Sequence, residues 1–177
     1  DLSILYQYLD LVAVSIGSDI VPIIGENRIL AYFGMRKLNQ DPNLSLASLI
    51  KIAGIKSPIS ISDVVFYIGP RINAAGRMRH ASESVQLLIC QDPEQLESFS
   101  NGLNQVNNQR KDVDQSITES ALQMIQETIA DQAKSTVLFD PNWHKGIVGI
   151  VASRCIEKYY RPTIILTESN GVATGSA

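Results

Sequence analysis

Apolar residues recur at alternating steps of three and four in the second half of the chain: Leu96, Phe99, Leu103, Val106, Val113, Ile117, Met124, with Ala121, Ile125 and Ile129 beside them. That spacing predicts one long helix over residues 92–134. Asp92-Pro93-Glu94-Gln95 would open it, with an acid to cap, proline at the first helical position and glutamine to complete the box. About 40 residues at ~1.5 Å each make a rod of roughly 60 Å. Its centre is polar: from Asn101 to Gln115 only Leu103, Val106 and Val113 keep the stripe among amides and charges. A helix wet on most sides in its middle and apolar towards its ends is expected to bridge two packed bodies. The alternative is one helix of a coiled coil.

The flanks differ in kind. Ahead of the long helix the pattern predicts helices over 2–15, 27–39, 46–53 (stopped by Gly54), 59–68 (starting at Ser60 or Ser62) and 82–90, with 69–78 as a loop. After it come a strand at 135–140, a helix at 145–159 and a strand at 163–167 behind Pro162. Strand, helix and strand at that spacing form a parallel crossover unit. The expected fold class is α/β, with bodies at 1–91 and 135–177 joined by the helix at 92–134.

Composition adds bounds. The chain has 177 residues, 45% hydrophobic and 19% charged, which is ordinary for a globular protein. No run approaches the ~18 apolar residues of a membrane span. There is no basic-then-apolar leader. The chain starts at Asp1 and stops at Ala177 inside an expected strand, so it reads as a piece of something longer. Cys90 and Cys155 lie far apart without metal-ligand neighbours, which points to a reduced, cytoplasmic setting. The net charge is −3, yet residues 71–80 and 144–161 each carry +3, leaving −9 on the remainder. Positive islands on a negative body suit a selective anionic ligand rather than general adhesion to nucleic acid.

Three places carry candidate chemistry. Asp19 is the one acid in the uncharged run from Ile16 to Pro22. It either ends a helix and takes backbone hydrogen bonds or faces a cation. Arg71, Asn73, Gly76 and Arg77 place two guanidiniums and an amide among small residues, where a phosphate can approach; a solvated turn is the plainer reading. His144 and Lys145 stand at the start of a helix that presents Gly146, Gly149 and Ser153 along one side. That is either an anion site or tight helix–sheet packing.

Together these stretches resemble the DHH phosphoesterases in the form used by the RecJ exonucleases. Residues 10–22, DLVAVSIGSDIVP, resemble the family's fourth metal-binding motif, departing at Ser15 and Ile16 where many relatives have Gly-Thr. GPRINAAGR at 69–77 resembles a RecJ signature loop, and WHKGIVGIVASR at 143–154 the start of a DHHA1 domain. Gly175-Ser176-Ala177 resembles the opening of that domain's phosphate-binding motif. The resemblance implies a 5′→3′ exonuclease on single-stranded DNA in repair and recombination, using Mn2+ or Mg2+. It implies that Asp19 is one metal ligand, the others lying in Asp-x-Asp and Asp-His-His motifs upstream of residue 1. It also implies that Arg71, Asn73, Gly76, Arg77, His144, Gly146, Ser153, Arg154 and Ser176 contact nucleic acid. On that reading the chain alone is inert, and a single-strand-binding protein or helicase could partner the parent. The competing readings are a related phosphodiesterase on short oligonucleotides or cyclic dinucleotides, and an inactive DNA-binding scaffold.

Overall fold

The computed structural model of the chain describes residues 3–19, 21–128 and 133–177. It is a mainly helical α/β protein with one three-stranded mixed sheet among the described residues. The chain divides into two compact units, Asp1–Asn107 and Asn108–Ala177.

The first unit contains α1 (Ser3–Tyr6), α2 (Leu9–Ser18), α3 (Gly25–Gln40) and α4 (Leu44–Ala53). Next, α5 (Ile61–Asp63) runs through a π-helical turn, Val64–Ile68, into α6 (Gly69–Met78), followed by α7 (Ser82–Ile89) and the first part of α8 (Pro93–Thr128). Leu38, Leu46, Leu49, Val64, Ile68 and Leu87 centre the core. The tightest contact joins α2 to α3, where a Cβ on Gly34 would lie 2.1 Å from the Leu9 carbonyl oxygen. Only glycine lets the backbones approach so closely. A buried carboxylate secures the same pair: Asp10 accepts from the amides of Leu11 (2.9 Å) and Asn43 (2.6 Å) and lies 3.6 Å from Lys37 Nζ. Asn43 in turn caps α4 by accepting from the Ser45 amide and hydroxyl.

The second unit pairs β1 (Thr136–Phe139) in parallel with β2 (Thr163–Ser169), Thr136 opposite Thr163 and Phe139 opposite Leu166. Between them in sequence is α9 (Val148–Tyr159), which buries Val148, Val151, Ala152 and Cys155. β3 (Val172–Ser176) turns back antiparallel to β2, Ile165 opposite Ser176. Asn170 and Gly171, at φ 55° and 75°, make the two-residue turn that suits such a hairpin. Burial pushes the Cys155 thiol above its usual range, against a weaker pull from Lys158.

Several expectations are corrected. The single helix expected over 2–15 is two helices, α1 and α2, the second reaching Ser18, and Leu2 lies outside the described residues. Residues 69–78 are α6, not a loop: the backbone widens to π geometry ahead of Pro70, where an ordinary turn would leave the ring against a carbonyl. The long helix is 36 residues, about 54 Å at 1.5 Å each. Ile129 and the rest of 129–132 lie outside the described residues, and Ala133 and Lys134 are not helical. Its middle exposes Asn101, Gln105, Asn108, Gln109, Lys111, Asp112 and Gln115 as expected, but buries Asn107 and Asp114 beside the apolar stripe. The helix expected from 145 starts at Val148.

Asp10→Ala removes the carboxylate facing two amides and Lys37. It should lower stability by roughly 2–3 kcal/mol, less than for a fully buried pair because Lys37 can turn to water. Chemical denaturation checks this; a loss under about half a kcal/mol contradicts the anchoring role.

Candidate metal-ligand position and nucleic-acid contacts

Asp19 is the C-cap of α2, its amide donating to the Ser15 carbonyl at 3.1 Å. The side chain is exposed and forms no hydrogen bond or ion pair among the described residues. Of the two open readings, the helix-end position holds but the backbone hydrogen bonds to the carboxylate do not. A helix C-terminus presents carbonyls and the negative end of the dipole, so the helix itself gives an acid there no stabilisation. Asp19, Ser15, Ser18 and Asn73 share a cleft of ≈ 470 Å³ with Leu11 and Leu88.

Gly69 sets the distance between the two helices that meet at this cleft. A Cβ there would fall 2.7 Å from Ser18 Oγ, 3.1 Å from its Cβ and 3.2 Å from its Cα. The Ser18 hydroxyl is buried and has no partner among the described residues, a polar feature that the uncharged run around it conceals. Along α6, Asn73, Gly76 and Arg77 are exposed, Asn73 and Arg77 one turn apart on the same side. Arg71 faces the other way. It is buried, donating to Asn104 Oδ1 (3.0 Å) and to the Tyr67 carbonyl (2.7 Å), and desolvation holds its pKa below the usual arginine range. It ties α6 to α8.

In the second unit, Gly146 N–H donates to His144 Nδ1 at 3.1 Å, which leaves the neutral ring's proton on Nε2 as a donor. The loop carrying His144 is pinned by buried Thr167, whose hydroxyl donates to the Trp143 carbonyl at 2.6 Å. Past it, α9 meets the end of β3, a Cβ on Gly149 falling 3.3 Å from Ser176 Oγ. The exposed Ser153 hydroxyl returns to the Gly149 carbonyl at 3.2 Å. Arg154 is half-exposed but paired: its Nη2 lies 2.8 Å from Asp114, which also holds Arg110 at 3.5 Å. Asp114 stands three and seven residues before Ile117 and Ala121, on the apolar stripe, and that spacing is the sequence signal for its burial.

Asp19 and Asn73 therefore meet at one cleft, Gly149 and Ser176 meet at another place, and Arg71 and Arg154 are committed to internal partners. Among the described residues no three His, Cys, Asp or Glu side chains gather into a metal-holding group. A hard divalent ion takes about six ligands. Asp19 is one oxygen donor; the described residues do not form a metal site, and no chemical step follows from them alone.

Gly69→Ala should cost about 1–2 kcal/mol, because Ser18 Cβ and Cα as well as its hydroxyl crowd the new methyl. Ser18→Gly in the same chain should restore part of that loss. A double-mutant cycle measures it, and additive losses would show that the two residues do not set the spacing.

No family model matches the chain. It is 35% identical over 174 residues to the single-stranded-DNA-specific exonuclease RecJ of Bacillus subtilis (strain 168), covering 97% of this chain and 22% of that protein. RecJ of Haemophilus influenzae is 35% identical over 175 residues, 96% of this chain and 30% of that protein. Among solved structures, RecJ of Thermus thermophilus in complex with Mg2+ superposes with a TM-score of 0.83 at 31% identity, over 92% of this chain and 25% of that one. An exonuclease RecJ bound to manganese gives 0.81 at 31%, over 92% and 40%. The chain thus spans well under half the length of these relatives. Sequence and fold agree, and the chain belongs to the RecJ family.

Proposed function

We propose that the chain is part of a single-stranded-DNA exonuclease of the RecJ type, which hydrolyses phosphodiesters from the 5′ end with Mn2+ or Mg2+. One observation carries this reading beyond the similarity. Asp19, exposed at a helix C-terminus and unpaired among the described residues, opens on the same cleft as Asn73, with Arg77 one turn further along α6. Asp19 supplies one oxygen ligand in the whole protein; when bound, the ions there activate water and stabilise charge at phosphorus. Asn73 and Arg77 hold the phosphates of the strand, and Gly76 lets it come close. In the second unit His144 Nε2–H and Ser176 offer donors to further phosphates, exposed Ser153 joins them by turning its hydroxyl away from the Gly149 carbonyl, and Gly146 puts no side chain in their way. Arg71 and Arg154 act through position, Arg71 by fixing α6 and Arg154 by fixing α9 against Asp114.

In this reading residues 1–91 belong to a DHH domain, 92–134 to the connecting helix and 135–177 to a DHHA1 domain. The parent works in cytoplasmic DNA repair and recombination, where a single-strand-binding protein or helicase would deliver its substrate.

Two substitutions in the full-length protein test this. Asp19→Ala should remove most hydrolysis while single-strand binding persists. Arg77→Ala should weaken binding alike for different sequences and reduce the log–log salt dependence by roughly one unit. Binding is measured by titration over a salt series with catalysis blocked. Wild-type hydrolysis from Asp19→Ala, or a sequence-dependent loss from Arg77→Ala, contradicts the reading.

A further inference from the structure

Three polar side chains in the cleft of the first unit stand without partners. Ser18, Asp19 and Asn73 all line it, and none of their side chains forms a hydrogen bond or ion pair among the described residues. Asp19 and Asn73 are exposed, so water serves them; the Ser18 hydroxyl is buried. A serine in a helix ordinarily returns its hydroxyl to the carbonyl four residues back, as Ser153 does to Gly149 at 3.2 Å. Ser18 makes no such bond to Val14. Its Oγ faces α6 instead, 2.7 Å from where a Cβ on Gly69 would lie. A hydroxyl held out of water with no partner costs free energy. Because it bonds nothing, it breaks nothing when it turns. The residue as a whole is only half-buried and lines the cleft, so rotation about its Cα–Cβ bond carries the oxygen towards Asp19.

We propose that Ser18 is a positioning residue for the ion that Asp19 ligates, its hydroxyl turning into the cleft to hold a water molecule of that ion's coordination shell. The inference rests on the reading of Asp19 as a metal ligand. The donors in the cleft suit a hard divalent ion: carboxylate, hydroxyl and amide oxygens, with no thiolate or imidazole among the described residues that line it. Water on such an ion donates more strongly than bulk water, and a hydroxyl oxygen with no other bond accepts from it at no loss. Aliphatic walls of Leu11, Val14, Ile72 and Leu88 keep competing water scarce, which strengthens the contact. Asn73, at the surface, meets the strand; Ser18 lies beneath it and acts through the ion.

The test uses the full-length protein carrying Ser18→Ala, with Asp19→Ala as reference. Ser18→Ala deletes a buried hydroxyl that has no partner, so the metal-free variant should unfold at the parent's temperature or above it. Its affinity for Mn2+ alone, read by electron paramagnetic resonance of the free ion, should fall about tenfold. At a fixed Mn2+ concentration kcat on an oligothymidine should fall while KM stays at the parent's value. Crystals of the parent protein with Mn2+ should place Ser18 Oγ within hydrogen-bond distance of a water on the ion. A lowered thermal transition of the metal-free variant, a change in KM alone, or a Ser18 hydroxyl bonded to another part of the polypeptide overturns the proposal. Loss of Mn2+ affinity in Asp19→Ala with parental affinity in Ser18→Ala overturns the Ser18 role alone. Parental affinity in both overturns the reading of Asp19 and this inference with it.

Discussion

The first unit depends on how closely α2 is held at both ends. Near its start the Leu9 carbonyl lies where a side chain on Gly34 would have to go, and at its end Ser18 lies where one on Gly69 would have to go. Asp10 adds a charge-assisted anchor to the start of α4 and to Lys37. A helix fixed in this way has little freedom to slide, so the residue after its last turn is delivered to one place. That residue is Asp19, beside Asn73. The two glycines, neither of which has chemistry of its own, set the geometry of the candidate site.

The positive charge available to a ligand is smaller than the two islands in the sequence suggest. Arg71 is buried against Asn104 and Tyr67, Arg154 pairs with Asp114, and Arg161 donates to Thr136 and the Ala133 carbonyl. These side chains hold α6, α9 and the start of β1. The candidate contact residues left at the surface are exposed Asn73 and Arg77 in one unit and half-buried His144 and Ser176 in the other. In the proposed reading, such donors would hold a phosphate without reading a base.

Periodicity made the helices, the crossover unit and the α/β class legible, because a helix with one buried face repeats every three to four residues. Local chemistry at chain breaks was less legible. Gly69-Pro70 looks like a stop, yet a π turn lets the helix continue, and nothing in the one-dimensional pattern distinguishes these outcomes. Asn170-Gly171 is a hairpin signal, since both residues tolerate positive φ, but the strand beyond it is short and small-residued and gives little pattern to confirm it. Asp19 stood out as an acid in an uncharged run; its orphaned neighbour Ser18 did not, because an unsatisfied hydroxyl is a property of packing. Which arginines face water was hidden for the same reason. Their partners Asn104 and Asp114 lie 33 and 40 positions away.

The central claim is that α2 delivers Asp19 to a divalent ion. The most direct measurement is anomalous diffraction from crystals of the full-length protein soaked in Mn2+. The account predicts a manganese peak with a carboxylate oxygen of Asp19 in its coordination sphere, and loss of that contact with a shift of the ion in Asp19→Asn. A fully coordinated manganese site to which Asp19 contributes no ligand would contradict it.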